Sequence, residues 1–329
     1  MKHILILSTG GTISSVPSKN GLIPADKQIP LEKLLIEEDT IIHVESLLVL
    51  DSSNIQPEEW TLIAQTLFEK MKHYQGIIVT HGTDTMAYTA SMMSFMIQNP
   101  AVPIVFTGSQ LPLNHPLTDA LDNLKAALAM AKSSYNGIFL AFDRKIMFAS
   151  RAVKVRTSSF SAFESINLNP VGRICSSGLS IDAAMIRKTT LPPSLHCTID
   201  TNVFLLKLTP ATDPAIISLL IQSGIHGIVI EAYGAGGIPF QRRDFTKEIQ
   251  QAILKNIPVV VTSQCLYERS NFNIYEVGTK VLKTGAIEAL DMTTEAAVTK
   301  LMYALGKTKD LDHIKQIFYT PLANEIALK

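Results

Sequence analysis

The feature that most constrains this chain is a repeated pattern. A short run rich in aliphatic residues ends in a cluster of glycine, hydroxyl and acidic residues, and a helical pattern commonly follows. Residues 4–8 run into Thr9-Gly10-Gly11-Thr12. Residues 43–50 end at Asp51-Ser52-Ser53-Asn54, residues 76–80 deliver His81-Gly82-Thr83-Asp84-Thr85, and residues 102–107 deliver Gly108-Ser109-Gln110. Strands that are apolar without alternation are buried on both faces, and strands separated by helices pair in parallel, so the pattern predicts a mostly parallel sheet covered by helices on both sides. Ligands of such sheets bind beyond the carboxyl ends of the strands, where all four polar clusters fall. Any one cluster reads equally well as an ordinary turn; four on one sheet edge read as a pocket.

Helices are expected over residues 57–71, where Pro57 and two glutamates mark the first turn, and over 86–98, with further strands at 137–142 and 152–156. A softer stretch around Pro192-Pro193 separates a second half with strands at 203–207, 227–230 and 258–262 and helices at 215–222 and 294–305. The expected organisation is an N-terminal α/β domain over 1–186, a linker over 187–200 and a smaller C-terminal α/β domain over 201–329. The larger sheet is expected to be flavodoxin-like.

Composition excludes several classes. Lys+Arg and Asp+Glu both number 29, so no long-range field draws the chain to nucleic acid or to an anionic membrane. Cys175, Cys197 and Cys265 have neither zinc-site nor redox-pair spacing, and no run approaches the roughly 20 apolar residues that span a bilayer. A cytoplasmic protein is expected. The opening glycine pair lacks the third glycine of a dinucleotide fingerprint and the lysine of a phosphate loop. H-E-x-x-H and G-x-S-x-G are absent.

What remains is hydroxyl chemistry. Thr12 follows two glycines that let the backbone turn sharply and approach a ligand; it is a candidate nucleophile or an ordinary loop hydroxyl. Thr83 neighbours Asp84, which is either a reacting group's partner or the N-cap of the next helix. Lys154, flanked by valines, is either a base or a lysine that snorkels to water.

Thr9-Gly10-Gly11-Thr12-Ile13 and His81-Gly82-Thr83-Asp84-Thr85 are similar to the two signatures of the bacterial-type asparaginase family. Asp51-Ser52-Ser53, Met86-Ala87-Tyr88-Thr89, Thr107-Gly108-Ser109-Gln110, Ser161-Ala162-Phe163-Glu164-Ser165 and Asp291-Met292-Thr293 extend the resemblance over nearly the whole chain, closest to its cytoplasmic type I branch. The resemblance implies hydrolysis of L-asparagine to L-aspartate and ammonia by water, through an acyl-enzyme, without cofactor or metal. It implies Thr12 as nucleophile, Thr83, Asp84 and Lys154 as its catalytic partners, and Asp51 and Ser52, with Thr83 and Asp84, as the substrate's grip. It also implies a homodimer or homotetramer, with residues 270–276 a place to look for a contribution to the site.

Two positions depart from the family pattern. Gly21-Leu22-Ile23-Pro24 carries leucine where many members have a lid tyrosine, so another group supplies that role or it is dispensable. Glu231-Ala232-Tyr233 carries glutamate where some type I enzymes use an arginine at a regulatory asparagine site, so weak or absent asparagine cooperativity is expected. Two rivals bound the reading. The glutamine-hydrolysing subunit of a tRNA-dependent amidotransferase carries an extra domain before its first signature, whereas the motif here starts at residue nine. A non-catalytic amino-acid binder has no need of two threonines and a lysine. Minor glutaminase activity is compatible with the sequence, since one methylene of discrimination is worth about 1–3 kcal/mol.

Overall fold

The computed structural model describes residues 1–18, 21–24, 35, 38–272 and 276–327. It divides into two compact units, Met1–Cys197 and Thr198–Lys329.

In the first unit β1 (Lys2–Gly10) is followed by a hairpin of β2 (Ser15–Ser18) and β3 (Gly21–Pro24), then β4 (Thr40–Leu50), helix α1 (Pro57–Lys70), β5 (Gly76–Thr80), α2 (Met86–Met96), β6 (Pro103–Thr107), α3 (Ala120–Ala131) and β7 (Gly137–Phe142). The strands β4-β1-β5-β6-β7 lie side by side and parallel. By chain order this is 2-1-3-4-5, the flavodoxin-like winding, and its direction reverses between β1 and β5. Beyond β7 the sheet continues antiparallel through β8 (Lys145–Phe148), β11 (Gly172–Cys175) and β12 (Gly178–Ile181). Strands β9 (Ala152–Lys154) and β10 (Phe163–Ser165) form a separate antiparallel pair.

The central strands β1, β5 and β6 are apolar through their middles because both faces are covered: Ile4, Leu5, Ile6, Ile77, Ile78, Val79, Ile104, Val105 and Phe106 are all buried completely, whereas the edge strand β4 is mostly half-buried. Helix α3 packs on the face made by Ile4, Ile6, Ile78, Val105 and Phe139. Helix α1 starts with a reciprocal cap between Gln56 and Glu59, with Pro57 in the first turn, and Trp60 Nε1 donates to Thr89 Oγ1 of α2 at 3.0 Å. Helix α2 is buried nearly all round, which is why it is rich in Met, Ala and Ser instead of being amphipathic.

Two elements stop earlier than the sequence pattern suggests. Helix α2 ends at Met96 because the Gln98 side chain takes the carbonyls of Ser94 and Phe95, while Ile97 and Gln98 pair with Leu195 and Ser194. Strand β9 ends at Lys154, where Val155 and Arg156 both turn their N–H groups to the Ala162 carbonyl.

The second unit is a four-stranded parallel sheet, β13 (Val203–Lys207), β14 (Gly227–Ala232), β15 (Val259–Ser263) and β16 (Ile287–Glu288). Its helices are α4 (Ala215–Gln222), α5 (Phe245–Leu254), α6 (Glu276–Lys283), α7 (Thr294–Lys307) and α8 (Leu311–Tyr319). Ile217, Ile228, Ile230, Phe245, Ile249, Val259, Val261 and Phe272 form its core. No helix of the described residues is long and apolar enough to cross a membrane.

Candidate active site

The carboxyl ends of β1, β4, β5 and β6 meet backbone to backbone, and glycine makes this possible. Gly10 and Gly11 have φ of 99° and 81°, a region that penalises any side chain. A Cβ on Gly10 would lie 2.4 Å from the Leu50 carbonyl oxygen, and one on Gly11 would lie 2.4 Å from the Gly82 nitrogen. Gly82 in turn packs on the Ser52 side chain, and Gly108 packs on the His81 carbonyl. The glycine pair is therefore a contact surface between strand-end loops, at the reversal point of the sheet. Thr12 and Thr83 are the residues that follow the touching glycines, Gly11 and Gly82. Thr12 begins a short 3₁₀ turn, Thr12–Ser14, whose next residue Ser15 donates its hydroxyl to the Gly11 carbonyl at 2.9 Å.

Lys154 reaches this point from β9. Its Nζ donates to Thr83 Oγ1 at 2.8 Å and to Asp84 Oδ1 at 2.6 Å. The Lys154 side chain is 16% exposed and that of Asp84 63%. An exposed ion pair of this kind adds little stability, so its consequence is placement of the amine against the Thr83 hydroxyl. Neither bland reading of these residues describes the structure. Asp84 does not cap α2, whose N-cap position is Thr85, and Lys154 does not extend freely to water. Thr85 instead donates its hydroxyl to the Ser52 carbonyl at 2.6 Å, tying the β5 loop to the β4 loop.

Asp51 and Ser52 stand on the β4 loop. Asp51 Oδ1 accepts both the hydroxyl and the backbone N–H of Ser53, at 2.6 and 2.9 Å, and these bonds lower its carboxyl pKa below the usual value. Asp51 caps a short turn (Ser52–Asn54) and does so as an exposed carboxylate. Ser52 is buried.

Three residues that the sequence reading leaves without a role hold this geometry. The Asp119 carboxylate accepts the backbone N–H groups of Gln110 and Leu111 at 3.0 and 3.1 Å, fixing the loop after β6. Asn123 Nδ2 bridges Asp119 and the Gly108 carbonyl, while its Oδ1 accepts the Asp143 N–H at 2.9 Å. The signal available was Thr118-Asp119 before an apolar helix, which suggests a cap. Asp119 occupies the N-cap position of α3 but makes no cap bond, and serves the loop instead. The third residue is His81. It is 1% exposed, its Nδ1–H donates to the Gly82 carbonyl at 2.7 Å, and its Nε2 has no partner among the described residues.

Burial lowers the His81 pKa from 6.5 to about 4. Between those values the unfolded chain binds a proton that the folded one does not. The contribution is thus complete above pH 6.5 and is lost as pH falls toward 4, by about 3 kcal/mol. Urea unfolding of wild type and His81→Asn at pH 7 and pH 4.5 checks this. The wild type is expected to lose more stability on acidification than the variant; equal losses would contradict it.

In the second unit, Glu231 accepts the Thr294 hydroxyl at 2.7 Å and lies 3.3 Å from Lys207 Nζ. Its carboxylate is therefore held by protein donors. Of residues 270–276, Ser270 is anchored through its hydroxyl to the Leu290 carbonyl, and 273–275 lie outside the described residues. Leu22 is paired through its backbone opposite Pro17 in the β2–β3 hairpin, and its side chain also lies outside the described residues.

The fold and these loops define a two-unit α/β protein whose winding reversal gathers two threonines, two aspartates and a lysine. Known proteins share the plan. A family model described as "Asparaginase, N-terminal" matches residues 3–187, and one described as "Glutaminase/Asparaginase C-terminal domain" matches residues 202–318. The L-asparaginase of Thermococcus kodakarensis is 40% identical over 98% of both chains. A solved structure of the thermostable L-asparaginase from that organism superposes with a TM-score of 0.94 at 40% identity, covering 99% of this chain and 100% of the other. A glutamyl-tRNA(Gln) amidotransferase subunit of Methanosphaera stadtmanae is 36% identical over 99% of this chain and 77% of its own length. The chain belongs to the asparaginase family.

Proposed function

We propose that this protein hydrolyses L-asparagine to L-aspartate and ammonia, with Thr12 as nucleophile and an acyl-enzyme as intermediate. The observation that carries the reading is Lys154 Nζ bonded at once to Thr83 Oγ1 and Asp84 Oδ1, beside the Gly11–Gly82 contact from which both threonines leave. The T. kodakarensis relative, which carries the name L-asparaginase, supports the substrate assignment.

The substrate is a small zwitterion. Asp84 and Asp51 attract its ammonium, and the Ser52 hydroxyl and loop N–H groups receive its α-carboxylate. Thr12 Oγ attacks the side-chain amide carbon, and the C=O pair moves onto oxygen. Backbone N–H groups at Thr83–Asp84 or Gly108–Ser109 stabilise that oxyanion. The Thr12 proton passes through Thr83 and Lys154 to the amide nitrogen, the C–N bond breaks, and ammonia leaves. Water then attacks the ester, a proton returns to Thr12, and aspartate is released. The chemistry needs no cofactor. Self-association as a homodimer or homotetramer and a cytoplasmic location complete the reading; free thiols at Cys175, Cys197 and Cys265 support the location.

Ammonia release by the purified protein tests the proposal. L-asparagine is expected to be turned over with a hyperbolic concentration dependence, because Glu231 sets a carboxylate where a regulatory asparagine would need a cation. L-glutamine is expected to be the poorer substrate. Absence of ammonia from asparagine would end the hydrolase reading, a sigmoidal curve would refute the role given to Glu231, and preferential release from glutamine would favour the amidotransferase reading.

A further inference from the structure

We propose that Asp119 is a positioning residue for Thr12: its carboxylate closes the loop over residues 110–118, and that loop in turn holds the turn on which Thr12 stands. The proposal rests on the reading of Thr12 as the nucleophile. Thr12 is held from two sides. On its N-terminal side Gly11 donates its N–H to the Leu50 carbonyl at 3.0 Å and packs on Gly82. On its C-terminal side the Ile13 carbonyl accepts the Leu113 N–H at 3.3 Å. Ile13 and Leu113 are both buried, in the same apolar cluster as Ala120 and Leu124 of α3. The second hold is therefore only as firm as the segment that carries Leu113.

That segment contains no helix or strand, and residues 114–117 are exposed, so packing alone does not fix it. Its two ends meet instead on one carboxylate, as in a compact surface loop. Asp119 Oδ1 accepts the backbone N–H groups of Gln110 at 3.0 Å and Leu111 at 3.1 Å. Its Oδ2 accepts the Gln110 N–H at 3.0 Å and Asn123 Nδ2 at 3.1 Å. The Leu111 carbonyl is held as well, by the hydroxyls of Ser109 at 2.6 Å and Thr118 at 3.3 Å. Asp119 is buried at the start of α3, where the helix dipole favours a negative charge.

This arrangement needs an acceptor at both carboxylate oxygens. In Asp119→Asn one of them becomes an NH2 group. Turned toward the loop, it faces backbone N–H groups; turned toward α3, it faces Asn123 Nδ2. Asn123 cannot turn over without losing two further bonds, from its Nδ2 to the Gly108 carbonyl at 3.0 Å and from the Asp143 N–H to its Oδ1 at 2.9 Å. Each orientation thus sets donor against donor. The loop is expected to yield, and with it Leu113, Ile13 and Thr12. Asp51 and Ser52 stand on the β4 loop, tied to the β5 loop through Thr85, and are expected to stay in place. Attack by Thr12 and grip on the substrate are thereby separable.

The experiment compares wild type with Asp119→Asn by steady-state ammonia release, by calorimetric binding of L-aspartate and by deuterium exchange. The kcat for asparagine is expected to fall by about 10–100-fold, because a nucleophile displaced by about 1 Å loses alignment. KM and the L-aspartate dissociation constant are expected to stay within about threefold. Exchange is expected to quicken over residues 12–15 and to stay unchanged over 51–55. An unchanged kcat would overturn the positioning role. So would an equal loss of kcat and aspartate affinity, because a site loosened as a whole loses its grip too. Thr118→Val keeps the carboxylate and removes one donor from the Leu111 carbonyl. It carries the exchange measurement if Asp119→Asn does not fold, and unchanged exchange over 12–15 would then overturn the proposal. If the wild type releases no ammonia, the hydrolase reading fails separately. Exchange over 12–15 then decides the coupling: faster exchange sustains it, and unchanged exchange overturns it.

Discussion

Thr12→Ala is expected to lower ammonia release from asparagine by at least about 10³-fold while leaving the unfolding midpoint nearly unchanged. The two halves of this expectation have different physical origins. Thr12 is half-buried at the start of a single 3₁₀ turn, so losing its hydroxyl and methyl costs little packing. On the proposed mechanism the rate depends on an acyl acceptor at one point in space. Thr12 is presented there by Gly11, whose φ of 81° and close approach to Gly82 leave no room for a side chain. Thr12→Ser retains a hydroxyl there and is expected to keep a substantial part of the activity. Turnover by Thr12→Ala within tenfold of wild type would transfer the nucleophile to Thr83, the other hydroxyl at the same contact and the one already bonded to Lys154. Ammonia assays on Thr12→Ala, Thr12→Ser and Thr83→Ala, with unfolding curves for each, distinguish the cases.

The parts of this site that are readable in the sequence are those encoded locally. A continuous aliphatic strand followed by Gly10-Gly11-Thr12 or by Gly82-Thr83-Asp84 declares both a buried parallel strand and a loop at its carboxyl end, within a dozen residues. The winding order adds the place, since β1 and β5 flank the reversal. What is not readable depends on long-range pairing. Asp119 reaches back to Gln110 across nine positions, and Gln110 reaches Thr157 across 47. No local periodicity reports such bonds, and an aspartate before a helix has the stronger local meaning of a cap. The antiparallel extension β8-β11-β12 is hidden for a similar reason. Strand β12 is half exposed, so it lacks the uninterrupted apolar run that reveals β1 or β5. His81 is a milder case. Its place in a signature makes it conspicuous, yet its burial and its bond to its own neighbour's carbonyl emerge only once β5 and β6 are packed side by side.

The largest stability effect is expected far from this chemistry in sequence, at Lys300 of α7. Lys300 and Glu325 are both completely buried, and they pair with each other. The other two ammonium protons go to the carbonyls of Phe318 at 3.0 Å and Thr320 at 2.9 Å, just where α8 ends. Glu325 also accepts the backbone N–H groups of Leu322 at 3.0 Å and Ala323 at 2.7 Å. One ion pair thus satisfies the end of α8 and the turn beyond it, groups that would otherwise be buried without partners. Burial pulls the Lys300 pKa below the usual lysine value, with Glu325 opposing the shift, so the pair holds together at a net desolvation cost. Removing one member strands the other as a buried charge. Lys300→Met is accordingly expected to cost about 3–5 kcal/mol in urea unfolding followed on the second unit. Lys300→Met/Glu325→Gln removes both charges while the glutamine oxygen can still accept from the turn. The double variant is expected to lose less than the sum of the two single changes by about 1–3 kcal/mol. Strict additivity would mean that the two groups act independently, and that the segment 318–325 is held on α7 by the apolar contacts of Ile314 and Phe318 instead.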